Sequence, residues 1–148
     1  MKILMRHFEH KDIKIIQDKL YPDYSEIAIG DLITEWNSGA YQGRFFEMFA
    51  IESDNKIVGY VSIYGKSRSI ASAGIEIFAE ERKKSFAYYA MVELLKYASE
   101  KGYHIMLNQV RKDNLASMRL HEKLGFESDG YTYRNQKNKE VFLYLKLL

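Results

Sequence analysis

Asn114-Leu115-Ala116-Ser117-Met118-Arg119-Leu120-His121-Glu122-Lys123-Leu124-Gly125-Phe126 is the stretch on which the fold turns. It reads as a short helix over Asn114 to Leu124. Asn114 stands at its start, where an amide side chain can take an orphan backbone N–H. Gly125 stands at its end, where a helix commonly stops on a left-handed residue. Tyr103 to Val110 precedes it as an apolar strand. Phe126 to Tyr133 follows as a second strand. Val141 to Leu147 is a third, with Asn135 to Lys139 as the connection.

Working upstream, Ala87, Ala90, Met91, Leu94 and Ala98 recur at helical spacing, and Gly102 ends that helix. Ile70 to Phe78 is the strand that enters it. Phe46 to Glu52 and Ile57 to Tyr64 form a hairpin around the turn residues Ser53 to Lys56. Lys2 to Arg6 is a short opening strand. His10 to Leu20 places Ile13, Ile16 and Leu20 on one helical face. Asp23 is positioned to cap a second helix, with Glu26 as its capping-box partner. That helix carries Ile27, Leu32, Ile33 and Trp36 and ends near Ser38-Gly39. The order is β-α-α-β-β-β-α-β-α-β-β. A meander precedes a βαβ crossover, which predicts an α/β fold with a mixed sheet.

The chain of 148 residues fits one domain, 1–148. Hydrophobic residues make up 47%, which excludes a disordered chain. A formal net charge of +2 gives no basis for nucleic-acid binding, yet it allows a local basic patch for a phosphorylated ligand. Cysteine is absent, so neither disulfides nor thiolate metal sites arise. His7 and His10 are poorly spaced for a shared face, and no metal site is expected. His104 reads as structural. No run is long and apolar enough to span a membrane, and the opening residues lack a signal-peptide core. A cytoplasmic location is the expectation.

Between Ala79 and Ala87 the chain reads AEERKKSFA. A strand runs into a turn and the turn opens a helix. The first N–H groups of a helix lack internal partners and sit at the positive end of its dipole, a natural pyrophosphate site. Arg82, Lys83 and Lys84 add charge there. Ser85 can cap the helix, and Ala87 is small enough to let a ligand approach. A solvated basic turn has the same composition.

Both segments resemble the GCN5-related N-acetyltransferase (GNAT) family. Arg82-Lys83-Lys84-Ser85-Phe86-Ala87 resembles its R/Q-x-x-G-x-G/A turn, with Ser85 in place of the central Gly. Asn114 to Phe126 resembles its N-x-x-A/S-x-x-L-Y-E-K-L-G-F run, with Val110 and Arg111 placed as in V-R-x-x-N. The resemblance implies a mixed, mostly antiparallel central sheet flanked by helices and acetyl-CoA as cosubstrate. It implies that backbone at Ile77, Phe78, Arg82, Lys83, Lys84, Ser85, Phe86 and Ala87 holds the cofactor, with Asn114 and Ser117 beside its pantetheine arm. Asn114 equally reads as a plain N-cap, and Ser117 as a solvated helix residue. A Ser at position 85 keeps its N–H. Binding is unharmed if φ there is negative and suffers if φ is positive.

His121 stands where most of the family has a Tyr that protonates the departing thiolate. His serves at this position in branches resembling phosphinothricin acetyltransferases, and an imidazolium can donate a proton near neutrality. The bland reading is a partly buried, packed His. Glu76, in Gly74-Ile75-Glu76-Ile77-Phe78, is the candidate general base if partly desolvated. It is a solvated or salt-bridged residue if strand alternation turns it outward. By resemblance, Tyr21 to Phe46 lines the acceptor side, including Tyr24, Glu35, Trp36, Tyr41 and Arg44; these residues equally suit a core helix and its loop, the better reading for Trp36. The expected reaction is direct acetyl transfer to a primary amine of a small molecule or peptide. The alternative is an acyl-CoA sensor without turnover. The Val141 to Leu145 run suits either a homodimer contact or the core.

Overall fold

Three successive β-rich runs pair as a meander, and the rest of the sheet grows from its two edges. The computed structural model describes residues 2–148. Its elements are β1 (Leu4–His7), α1 (Ile13–Lys19), α2 (Glu26–Trp36), β2 (Ala40–Tyr41), β3 (Arg44–Ser53) and β4 (Lys56–Gly65). β5 (Ile70–Ile77), α3 (Phe86–Glu100), β6 (Ile105–Arg111), α4 (Leu115–Lys123), β7 (Thr132–Arg134) and β8 (Glu140–Leu147) follow. The sheet order is β1-β3-β4-β5-β6-β8-β7, with β2 paired to β3. Every pairing is antiparallel except β5 with β6. The expected mixed, mostly antiparallel sheet is what forms.

The sheet is covered on both faces. Along β3, Met48 and Ala50 pack with Ile16, Ile29, Ile33 and Trp36 of α1 and α2. The alternate residues Phe49 and Ile51 pack with Met91 and Leu94 of α3. A strand buried on both faces reads as a continuous apolar run, which explains Met48 to Ile51. The larger of these side chains, Met48, Phe49 and Ile51, each contribute roughly 1.5–3 kcal/mol on burial.

Two local devices fix the start of the chain. Arg6 of β1 forks onto Asp12, with Nη1 to Oδ2 at 2.8 Å and Nη2 to Oδ1 at 3.0 Å. Asp12 also accepts the Glu9 N–H at 2.7 Å. The β3–β4 turn uses Asp54 and Asn55 at φ 50° and 65°, the left-handed pair that a tight hairpin requires.

The structure corrects three boundaries. Ser25, not Asp23, caps α2, its hydroxyl accepting the Ala28 N–H. His10 to Asp12 is a 3-10 turn rather than the first turn of α1. The strand expected over Phe126 to Tyr133 shrinks to a single bridge, Glu127 with Leu145, and the short β7. Ser128, Asp129 and Gly130 interrupt it with side-chain-stabilised turns. β2, formed beside the Gln42-Gly43 turn, was not anticipated. β8 lies between β6 and β7, so both of its edges are already hydrogen-bonded. Val141 and Tyr144 of that strand belong to the interior.

Candidate functional site

β5 and β6 run parallel and pair only at Ile70 with Ile105 and Ala71 with Met106. Beyond that, β5 continues to Ile77 along β4, and β6 continues to Arg111 along β8. The two strands therefore splay into a wedge that opens toward their C-terminal ends, where α3 and α4 begin. The β4–β5 register decides which backbone groups face it. Lys66 N–H bonds Ile70 C=O at one end, and Phe78 N–H bonds Val58 C=O at the other. Such pairs recur at every second residue of an antiparallel ladder. Ser72, Gly74 and Glu76 thus point their backbone groups at β4. Ala73, Ile75 and Ile77 point theirs into the wedge.

The turn at the wide end of the wedge is bent by two left-handed residues, Lys83 at φ 64° and Ser85 at φ 68°. The expectation that Ser85 caps α3 is corrected: it occupies the N-cap position but makes no side-chain cap bond. Its φ is positive, so the condition under which Ser replaces Gly at no cost is not met. Among the described residues, no acceptor takes the N–H groups of Lys83 through Tyr88. Phe86 turns its ring into the core, leaving only its backbone at the turn. The three cations are not equivalent. Arg82 donates from Nη2 to Glu76 at 2.8 Å and from Nε to Ile77 C=O at 2.9 Å. Lys84 pairs with Glu81, which Lys56 also holds. Lys83 alone has no carboxylate partner among the described residues.

At the far wall, Asn114 caps α4, its Oδ1 accepting the Ser117 N–H at 3.0 Å. The α4 helix ends in a six-to-one bond from Phe126 N–H to His121 C=O, over Gly125 at φ 87°. The Phe126 ring folds back on the His121 ring at 4.8 Å. The Leu-Gly-Phe end of the motif is thus a helix-stop device.

His121 is only 5% exposed. Its Nδ1 lies 2.8 Å from Ser117 C=O, and its Nε2 lies 3.1 Å from Asn108 Nδ2. A carbonyl can only accept, so Nδ1 carries the proton. Asn108 Oδ1 accepts the Ala73 N–H at 2.8 Å, which turns Nδ2 toward His121 and makes Nε2 an acceptor. Burial pushes the imidazole pKa down, opposed by the Ser117 carbonyl. The ring is neutral with both nitrogens engaged. In this arrangement no proton stands on Nε2, and the reading of a packed, hydrogen-bonded His describes the geometry. Ser117 contacts His121 rather than open solvent, its Oγ at 3.4 Å from Nδ1.

Glu76 takes the second of its two readings. Its side chain is 47% exposed and paired with Arg82, not desolvated. It lies opposite Tyr60, on the face that carries α1 and α2. On that same face Leu32, Glu35, Trp36, Ala40, Tyr41 and Phe46 line a cleft of about 210 Å³. Phe46, Tyr64 and Ser72 are cross-strand neighbours. The cleft therefore lies two strand spacings, about 10 Å, from β5. Tyr24 packs at a tilt against Tyr21 instead, and Arg44 donates to Lys66 C=O; neither lines the cleft. Asn108 was missed in the sequence. Its signal was a polar residue between Met106 and Val110 on the buried side of an apolar strand.

This wedge, with unpartnered strand donors along one wall and a helix N-terminus at its mouth, is the cradle of an acyl-CoA-using fold. A model of the acetyltransferase (GNAT) family matches residues 8–126, and the chain belongs to that family. The SPbeta prophage-derived uncharacterized N-acetyltransferase YokL of Bacillus subtilis is 33% identical over 99 residues, 65% of this chain and 56% of that protein. The L-methionine sulfoximine/L-methionine sulfone acetyltransferase of Pseudomonas aeruginosa is 27% identical over 89 residues, 56% of this chain and 51% of that protein. The chain thus spans about half the length of these curated relatives. Among solved structures, a ribosomal L7/L12 α-N-protein acetyltransferase in complex with coenzyme A superposes with a TM-score of 0.84 at 13% identity, covering 100% of this chain and 95% of the other. Spermidine N-acetyltransferase from Vibrio cholerae, in complex with CoA and spermine, gives 0.77 at 19% identity, covering 98% and 95%. At these identities the likeness speaks for the fold.

Proposed function

We propose that this protein transfers the acetyl group of acetyl-CoA to a primary amine by direct attack within a ternary complex. The observation that carries the reading is the β5–β6 wedge, whose Ile75 and Ile77 backbone groups face an opening that leads to the unpartnered N–H groups of Lys83 to Tyr88. Acetyl-CoA, when bound, supplies an activated thioester. Ile75 N–H is the innermost wedge-facing donor of β5 without a partner, and it is placed to polarise the thioester carbonyl. The backbone at Ile77 guides the pantetheine arm, and Asn114 and Ser117 flank it from α4; the expected part of Phe78 falls away, because its N–H is held by Val58 C=O and its C=O by Glu81 N–H. The turn from Arg82 to Ala87 receives the pyrophosphate, chiefly through backbone donors and Lys83.

An ammonium must shed its proton before it attacks. Glu76, a carboxylate on the acceptor face paired with Arg82, is placed to accept that proton through water. The aromatic cleft with Glu35 suits a cationic amine carrying an apolar body, because ring faces and a carboxylate both attract cations. His121 supplies no proton, and a CoA thiolate leaves without strong acid assistance, so solvent protonates it. Glu76→Gln is expected to slow turnover most at low pH, where free amine is scarce. An effect that is flat with pH assigns Glu76 a structural role.

A second reading, an acyl-CoA sensor without turnover, draws on the neutral His121 and the left-handed Ser85. Isothermal titration with acetyl-CoA, followed by thiol release across an amine panel, separates the two. Binding with amine-dependent release supports the transferase. Binding without release on any amine supports the sensor, and no binding overturns both.

A further inference from the structure

The parallel ladder of β5 with β6 ends at Ala71 and Met106. The next wedge-facing donor of β5 is Ala73 N–H. It is not free: Asn108, a side chain of β6, takes it at 2.8 Å. Asn108 is 4% exposed, and its remaining amide group is fixed by His121 Nε2 at 3.1 Å. His121 is fixed in turn by Ser117 C=O at 2.8 Å. Each link dictates the next. Only Oδ1 can meet a backbone N–H, so Nδ2 must face the ring, and only an unprotonated Nε2 can receive it.

Resting on the transferase reading above, we propose that His121, Asn108 and Ala73 form one positioning chain that sets the closed end of the wedge and therefore the depth at which the thioester rests. With Ala73 capped, Ile75 N–H is the first donor that a carbonyl entering the wedge finds unpaired. With Asn108 released, Ala73 N–H becomes a rival donor two residues deeper, about 7 Å along the strand. The thioester carbonyl then has two addresses, and only one is aligned with the acceptor. A displacement of even about 1 Å can lower a rate by about 10²-fold. The pyrophosphate turn lies at the other end of the wedge and is untouched, so affinity for acetyl-CoA should be largely kept. His121 acts through Asn108 and is a positioning residue, not an acid.

The test compares His121→Phe, His121→Gln and Asn108→Ala in the full chain. Gln can place an acceptor near the Nε2 position without a titratable ring, whereas Phe cannot. The expected result is that Phe at 121 and Ala at 108 each lower kcat by about 10²-fold. The Kd for acetyl-CoA measured by titration stays within a few-fold, and Gln at 121 recovers most of the loss with an unchanged pH profile. Equal damage from Gln and Phe, with loss of one limb of the pH profile, overturns the chain in favour of an acid. Wild-type rates in all three overturn it as well. So does a fall in acetyl-CoA affinity that matches the fall in kcat. A second readout needs no turnover: nitrogen NMR of His121 should show the Nδ1–H tautomer, moving toward imidazolium in Asn108→Asp. An Nε2–H tautomer in the wild type sinks the proposal. Failure of the wild type to bind acetyl-CoA instead removes the transferase reading, and the depth-setting role goes with it, while the NMR result still reports on the hydrogen bonds.

Discussion

Ser85 holds a left-handed backbone at φ 68° that Gly occupies without penalty. For an L-residue with a Cβ the cost is about 1–2 kcal/mol. Ser85→Gly should therefore stabilise the protein by about 1 kcal/mol, which raises Tm by roughly 3 °C in a chain of this size. It should leave Phe86 seated in the core and should tighten acetyl-CoA binding, because the same strain opposes the turn that receives the pyrophosphate. A calorimetric scan and a titration check both. An unchanged Tm would mean that the hydroxyl offsets the strain by contacts of its own. Lys83, two residues earlier, carries a second left-handed φ of 64°. The charge of the turn is thus presented by a segment bent at two of its residues.

The critical element is β5, because it closes the meander on one side and walls the wedge on the other. Gly59 of β4 lies opposite Ile77. A Cβ at Gly59 would meet Glu76 O at 2.2 Å and Ile77 Cα at 2.9 Å. These are backbone atoms and cannot swing away. Gly59→Ala should push β5 toward β6 or break the local pairing, at a cost of about 1–3 kcal/mol. Its signature should be a lower Tm together with weaker acetyl-CoA binding, since Ile77 ends the displaced strand and Arg82 of the turn is held to its C=O. Gly102→Ala is a suitable contrast. No atom lies within 4 Å of its Cβ, although φ is 96°, so it should cost stability through backbone strain and leave acetyl-CoA affinity unchanged.

At the scale of the whole molecule, buried titratable groups link stability to pH in two separate windows. His121 has its pKa lowered by burial, against the opposing pull of Ser117 C=O. The unfolded chain therefore binds a proton near pH 6.5 that the folded chain refuses. Stability should fall as pH drops below about 6.5 and level off at the lowered folded pKa. The rings of Phe126 and Tyr144 face His121, and neither carries charge in that range. The second window belongs to carboxylates. Burial alone would push Asp12 up, but the Arg6 fork and the Glu9 N–H outweigh it and the net shift is down. Glu81 is held down first by Lys56, despite burial, and further by Lys84. Their contribution is present above about pH 4 and is lost as pH falls through the depressed values. Tm measured from pH 8 to pH 3 should show both steps, and His121→Gln should remove only the first.

The sequence by itself determined the order of the main elements, β2 excepted, together with the hairpin at Asp54-Asn55, the helix stop at Gly125-Phe126 and the family. Each of these rests on local spacing and on residues with few conformational choices. It also located the turn at Arg82 to Ala87 and the cap at Asn114, since capping is settled within a few residues. It misplaced the cap of α2, because Ser25 and Asp23 are both competent and only the packed helix chooses between them. Only the tertiary structure decided the surroundings of the candidate residues. Whether Glu76 is buried or salt-bridged depends on which face β5 presents and on Arg82 returning across the turn. Whether His121 carries a proton at Nε2 depends on Asn108, thirteen residues away on β6, and on Ala73 of β5 beyond it. A protonation state is a property of the neighbours, and those neighbours meet only when the sheet has formed.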